Sequence, residues 1–259
     1  MDERTLQAAL RDLPLGGLHY FRSIGSTNDE ALAWATENAP DFSLVVADEQ
    51  TAGRGRAGRK WFTPPESALA FSLILRPTAD EYPHLTRTVG LAALALTESL
   101  RTRFLAAQIK WPNDVLIASR KVAGILIESV WDGEEVDCIV IGMGVNIAKS
   151  SIPTRHKLNF PATSLEESLG KLPNREEILH DILSALIAWR PRLGTDKLLK
   201  AWESRLAFRD EQVEVSAGDG LPVTGKLLGL EPDGSLRLRD ERGEAVIIHF
   251  GDMRLRPAA

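Results

Sequence analysis

Apolar and polar positions alternate with different periods along the chain. From Thr86 to Phe104 the residues Val89, Ala93, Leu96, Leu100 and Phe104 recur at steps of three and four, which predicts an amphipathic helix with one buried stripe. Ser26, Thr27 and Asn28 stand before Asp29, Glu30 and an alanine-rich run to Ala39, the pattern of a capped helix with Ser26 or Thr27 at its mouth. Two more helical patterns span Arg175 to Trp189 and Thr195 to Ala207. Short β-favouring runs cover Leu44 to Ala47 and Leu69 to Leu75. Gln108 to Trp111, Val115 to Ala118, Val122 to Val130 and Val136 to Ile141 then read as a meander of antiparallel strands. The texture changes near Ala207. Val213 to Ser216, Leu221 to Leu230, Ser235 to Arg239 and Ala245 to Phe250 are short strands with Gly-, Pro- and Asp-bearing turns, Pro232-Asp233-Gly234 the clearest, and predict a small β-barrel. Helices followed by strands, without regular alternation, make the class α+β, with domains at 1–206 and 207–259.

Composition narrows the functions. The chain has 259 residues, 44% hydrophobic and 26% charged, enough for a substantial core, and a formal net charge of −5. That balance argues against a surface committed to DNA, RNA or anionic lipid, so any polyanion site must be local. The single cysteine, Cys138, lies in an apolar run and reads as a core residue in a reducing compartment. No stretch approaches the roughly 18 apolar residues of a membrane span, and the expected location is the cytoplasm. The five histidines show neither metal-ligand spacing nor a nearby nucleophile motif, and the six tryptophans default to packing, with Trp61 the one expected in a pocket wall.

One loop is built differently. Gln50 to Trp61 (QTAGRGRAGRKW) sets Gly53, Gly55 and Gly58 among Arg54, Arg56, Arg59 and Lys60. Glycines let several backbone N–H groups turn toward one point and guanidinium groups add charge, so the loop suits an anion. It lacks the P-loop signature and the dinucleotide-binding context. A solvated basic loop or an RNA contact fits it equally well. Lys110 to Asp114 (KWPND) and Lys121 shift the balance: a hairpin about Ser119-Arg120 would return Lys121 beside Asn113 and Asp114. Two lysines, a carboxylate, an amide and the arginine loop would then converge on a triphosphate and a substrate carboxylate. Gly142, Gly144 and Asn146 end the last strand of the meander where a ligand or a backbone could approach, or where a bulge or turn sits.

Taken in order, Ser26-Thr27-Asn28, Gln50 with GRGRAGRKW, KWPND, RKVAGIL and GMGVNI resemble the motif series of biotin protein ligases, from about Tyr20 to the C-terminus. The resemblance implies a core of the class II aminoacyl-tRNA synthetase type with a mixed, mainly antiparallel sheet, followed by an SH3-like β-barrel. It implies ATP, Mg²⁺ and biotin as reactants and a biotin carboxyl carrier protein as the acceptor. Carried onto this chain, it assigns biotin to Ser26, Thr27, Asn28, Gln50, Gly53, Arg54, Gly55, Arg56, Lys121 and Gly124. It assigns the nucleotide to Arg54, Arg56, Arg59, Lys60, Trp61, Lys110, Asn113, Asp114, Lys121 and Asn146. Lys121, Arg56 and Asp114 are the expected catalytic groups, with Asp114 also a Mg²⁺ ligand. Only 25 residues precede Ser26, too few for the winged-helix domain of DNA-binding members, so a short form without repressor activity or DNA is expected. Lys149 to Phe160 matches no motif, and an exposed strand edge would allow a homodimer. The rival readings are a lipoate or octanoate ligase or transferase of the same fold, a non-catalytic RNA- or protein-binding module, and an adenylate-forming enzyme with an unusual acceptor.

Overall fold

The computed structural model describes residues 1–154, 160–217, 221–249 and 253–257. It starts with a helix the hydrophobic pattern does not reveal, α1 (Glu3–Leu10), which buries only Leu6 and Leu10 and is started by reciprocal capping bonds between Asp2 and Thr5. Strand β1 (Gly17–Phe21) is half-buried at every position, so it carries no alternation to read. Helix α2 (Thr27–Thr36) leads to β2 (Ser43–Ala47), which pairs in parallel with β1, and β3 (Ala68–Leu75) pairs antiparallel with β2. β2 and β3 are buried along their whole length, which explains their unbroken apolar sequence.

A 3₁₀ turn, Tyr82–Arg87, precedes α3 (Thr88–Arg101). The predicted stripe stops at Leu100. The chain leaves the helix at Thr102, and Phe104 sits in a turn at φ 60° and is 98% exposed, so its place in the stripe was a coincidence of spacing. The meander forms as β4 (Ala107–Lys110), β5 (Asp114–Ile117), β6 (Arg120–Asp132) and β7 (Glu135–Asn146), antiparallel throughout. These seven strands make one mixed sheet in the order β1-β2-β3-β7-β6-β5-β4. A short α4 (Leu165–Leu169), then α5 (Arg175–Trp189) and α6 (Asp196–Glu203) follow. α3 lies between the sheet and α5, while α2 covers the opposite face over Val45, Ile74, Val140 and Cys138. Cys138 is thus a core residue, its thiol pKa pushed up by burial. Among the described residues no helix is long and apolar enough to cross a membrane.

The tail folds as β8 (Gln212–Ala217), β9 (Val223–Leu230), β10 (Leu236–Arg239), β11 (Ala245–Ile248) and β12 (Met253–Pro257), in the antiparallel order β11-β10-β9-β8-β12. Among the described residues the tail forms a five-stranded sheet in which no ladder joins β11 to β12, so closure of the expected barrel is not seen there. Phe250, expected in the fourth strand, lies outside the described residues.

The Pro232-Asp233-Gly234 turn docks the tail. Its three successive carbonyls accept from Arg87 Nε at 2.6 Å, Thr86 Oγ1 at 2.9 Å and Trp111 Nε1 at 3.1 Å. Trp111, only 1% exposed, belongs to the KWPND segment, so the tail holds that segment from behind. Trp111→Phe keeps an aromatic ring but leaves the Gly234 carbonyl unpaired. The expected cost is about 2 kcal/mol. A urea midpoint equal to that of the parent protein, at unchanged slope, would show that the bond contributes nothing.

Candidate active site

Strand register builds the charged centre. Lys110 lies opposite Asp114 across β4 and β5, and a shift between Val115 and Leu116 sets Lys121 opposite Leu116 and Gly124 opposite Asp114. Lys121 Nζ reaches Asp114 Oδ1 at 2.5 Å, and Lys110 Nζ reaches Oδ2 at 3.3 Å. Burial pushes the Asp114 carboxyl pKa up, but the charges of Lys121 and Lys110 and their hydrogen bonds outweigh it, holding the group below the usual carboxylate value. Asn113 is held against β6: its Nδ2 donates to Ile125 O at 2.7 Å and its carbonyl accepts from Ile125 N at 2.9 Å. The Trp111–Pro112 peptide in this turn is cis.

The glycine–arginine segment forms a tight hairpin over this centre. Trp61 N donates to Gly53 O at 2.8 Å and Gly55 N to Arg59 O at 2.7 Å, with Ala57 and Gly58 at positive φ at the tip. Arg56 Nη1 donates to Asn113 Oδ1 at 3.3 Å, which brings the segment and the KWPND turn together. Arg54 lines the cavity and is also engaged by two carboxylates. Its Nη1 and Nη2 fork onto Glu128 at 2.8 and 2.6 Å, and Nη2 also meets Asp29 at 2.6 Å, so its charge is already matched. Gly53 does not line the cavity. A Cβ there would lie 2.5 Å from Trp61 O, so this glycine permits the stem of the hairpin to close.

A neutral floor lies at the other end. Ser26 is the N-cap of α2 but makes no side-chain capping bond; instead Gln50 Oε1 accepts from Thr27 N at 2.8 Å and from Thr27 Oγ1 at 3.2 Å. Asn28 Nδ2 donates to Glu128 Oε2 at 2.7 Å, and Ser72 Oγ donates to Asn28 Oδ1 at 2.6 Å. Gly142 and Gly144 sit mid-strand in β7, in neither a bulge nor a turn. A Cβ on Gly142 would meet Asn28 Oδ1 at 2.0 Å, and one on Gly144 would meet Trp61 Cε2 at 2.2 Å, so both glycines make room for side chains of the site. Trp61 is the expected wall: its ring centroid is 5.3 Å from Lys121 Nζ, and its buried Nε1 has no hydrogen-bond partner among the described residues. Asn146 Nδ2 donates to Thr163 O at 3.0 Å, beside the Pro161 and Thr163 backbone groups that hold Lys121.

These groups enclose one cavity of about 370 Å³, within the usual range for small-molecule sites. Every residue expected in the site except Gly53 lines it. The sequence reading missed Phe62, Ile125, Leu126 and Met143, which follow from adjacency to recognised residues, and Leu255 of β12, for which no signal exists. Ser151, Pro153 and Phe160 also line it, giving part of the motif-free Lys149 to Phe160 stretch a place; residues 155–159 lie outside the described residues. Asp114 fits poorly as a Mg²⁺ ligand, because both oxygens already face ammonium groups. Among the described residues no cluster of three or more His, Cys, Asp or Glu side chains could hold a metal.

Residues 20–146 match the model of the Biotin/lipoate A/B protein ligase family, a range that contains every expected site residue. The chain is 35% identical over 231 residues to the biotin--[acetyl-CoA-carboxylase] ligase of Paracoccus denitrificans, covering 86% of this chain and 94% of that one. The chain belongs to the biotin protein ligase family. The bifunctional ligase/repressor BirA of Bacillus subtilis is 33% identical over 250 residues, 94% of this chain and 76% of its own length. Among solved structures, the biotin protein ligase from Aquifex aeolicus in complex with biotin and ATP superposes with a TM-score of 0.80 at 30% identity, covering 93% of this chain and 99% of that one. For a biotin protein ligase the cavity has a telling polarity. Its cationic end carries Arg56, Arg59, Lys60, Lys110 and Lys121, and its neutral end carries Ser26, Thr27, Asn28 and Gln50.

Proposed function

We propose that the chain activates biotin with ATP and transfers it to a lysine of a biotin carboxyl carrier protein. A biotin carboxylate oxygen attacks the α-phosphorus of ATP, supplied as its magnesium complex. The bond from that phosphorus to the bridging oxygen breaks, and pyrophosphate leaves with the electron pair. The neutral acceptor amine then attacks the carbonyl carbon of the mixed anhydride. AMP leaves, the nitrogen loses its proton, and an amide remains.

The observation that carries this reading is the shared cavity: the Lys121 ammonium, 2.5 Å from Asp114, lies in the same space as the arginine segment and the neutral Gln50 floor. Two anions, the carboxylate and the α-phosphate, must approach each other, and fixed cations there lower the repulsion as charge develops. Lys121 takes the position between them, Lys110 and Arg56 face the phosphates, and Asp114 orients both lysines. Ser26, Thr27, Asn28 and Gln50 offer hydroxyl and amide groups to the uncharged ring end of biotin. No protein nucleophile is needed, and catalysis is mainly positioning. Residues 1–206 are read as the catalytic unit and 207–259 as the tail that braces it, in a cytoplasmic enzyme.

The test is exchange of labelled pyrophosphate into ATP, with biotin, lipoate or octanoate as the acid. Exchange that depends on biotin and is at least roughly tenfold weaker with the other two acids is expected, since a pocket with unpaired polar groups rejects an analogue lacking their partners. Equal exchange with lipoate, or none with any acid, would overturn the reading.

A further inference from the structure

Arg54 was expected to hold an anion, yet two carboxylates already hold it. Glu128 takes it in a two-bond fork, and the same Glu128 Oε2 accepts from Asn28, whose side chain lines the neutral end of the cavity. Asn28 is 4% exposed and is fixed at its other end by Ser72, in a space that only a glycine at 142 leaves open. We propose that Glu128 and Asp29 are positioning residues: they clamp Arg54 so that the arginine segment closes over a fixed stem, and Glu128 links occupation of the Thr27–Gln50 end to that clamp. This rests on the ligase reading of the cavity.

An exposed ion pair would be worth little. Here the geometry is different, because a planar fork matched to a carboxylate is among the stronger hydrogen-bonding arrangements and one of its oxygens is shared with a buried amide. Glu128 cannot swing away without releasing Asn28 as well. Arg54 adjoins Gly53, whose carbonyl pairs with Trp61 N at the stem of the hairpin, so the clamp acts where the two arms of the segment meet. Beyond the stem, Gly55 and Arg59 are joined by the turn's own backbone bond, and the tip can move as a unit over the cationic end. A ligand that takes hydrogen bonds from Thr27, Asn28 or Gln50 changes the partners of Asn28, and Glu128 is the next atom group along. The line from the neutral end to the loop is therefore short and made of named bonds: Ser72 to Asn28, Asn28 to Glu128, Glu128 to Arg54.

Glu128→Gln tests it, with two readouts. In limited trypsin digestion of the ligand-free protein, cleavage after Arg54 should be slow in the parent and rise about tenfold in the variant relative to cleavage after Arg56 or Arg59, the effect of one charge-assisted hydrogen bond. Retention of biotinyl-adenylate, made in place from biotin and ATP, should fall by about the same factor while KM for ATP changes less than about twofold. Unchanged cleavage after Arg54 overturns the clamp. Increased cleavage with unchanged retention overturns the positioning role, leaving a surface ion pair. If the parent makes no adenylate, the ligase reading fails on that result while the digestion pattern still decides whether the clamp exists. Asp29→Asn carries the same digestion test should Glu128→Gln not fold.

Discussion

Lys121→Ala is expected to lower biotin-dependent ATP–pyrophosphate exchange by about 10³-fold with the fold retained. Removing one preorganised donor from a charge-stabilising site costs on the order of 10² to 10³ in rate, and in the proposed mechanism this ammonium faces both reacting anions. Lys110 does not replace it: its Nζ bonds the far oxygen of Asp114 and lies 4.7 Å from the Phe160 ring centroid, on the other side of the carboxylate. The structural cost is smaller than for an isolated buried charge, because Asp114 keeps Lys110 as a partner. It still has a pH signature. A carboxyl whose folded pKa lies below its unfolded value adds stability above the unfolded value and loses it as pH falls through the folded one. For Asp114 in the parent that loss therefore falls below the ordinary carboxylate range. Without Lys121 the desolvation that raises its pKa meets less opposition, so acid unfolding should begin at higher pH. Near-normal exchange by a folded Lys121→Ala protein would remove the lysine from the mechanism.

How much of this could be read from the chain depends on where the information is stored. Local chemistry was legible. The Arg175–Trp189 helix follows its apolar period to the residue, and the short hairpin that returns Lys121 toward Asp114 was expected, although it turns one residue earlier than Ser119-Arg120 and carries a register shift that residue counting does not reveal. α1 and β1 were not legible, since neither has enough buried positions for a period to show. Phe104 illustrates the opposite error: the right spacing beyond the point where the helix ends.

The lining of the cavity was legible in its membership and less so in its wiring. Residue types gave the charged end, the neutral end and the tryptophan wall. They gave no hint that Arg54 is matched by Glu128 and Asp29, because Glu128 lies 74 residues downstream on β6 and Asp29 lies upstream in α2, and only the fold brings the three together. The contribution of Leu255 was hidden for the same reason, as β12 reaches the cavity from the far end of the chain. Asn146 was expected to face the nucleotide. It lines the cavity, but its amide is engaged by a backbone carbonyl of the segment beside Lys121, a pairing that depends on tertiary contact. Physical chemistry read from sequence identifies which groups meet more readily than which of them neutralise one another.

Gly142→Ala is the second large effect expected, and it comes from the least conspicuous change in the site. Two influences oppose each other. An alanine loses less freedom on folding than a glycine, because it already restricts the unfolded chain, which favours the variant by roughly 0.5–1 kcal/mol. Against that, the new methyl would lie 2.0 Å from Asn28 Oδ1 and 2.8 Å from Asn28 Cγ, both far inside contact distance. The strand cannot yield, because Gly142 is paired on both sides, with Ser72 of β3 and Leu126 of β6. Asn28 must move instead, breaking its bonds with Ser72 and Glu128, and each buried group left unpaired costs about 1–3 kcal/mol. The displacement is felt in the first turn of α2, where Thr27 meets Gln50, so the neutral end of the cavity is rebuilt while Lys110, Asp114 and Lys121 stay in place. KM for biotin should rise about 100-fold, close to 2.7 kcal/mol, with KM for ATP within about twofold. Loss at one end alone separates this account from general destabilisation, which would raise both constants together. A biotin KM within about threefold of the parent would mean that the Asn28 position does not matter to the acid.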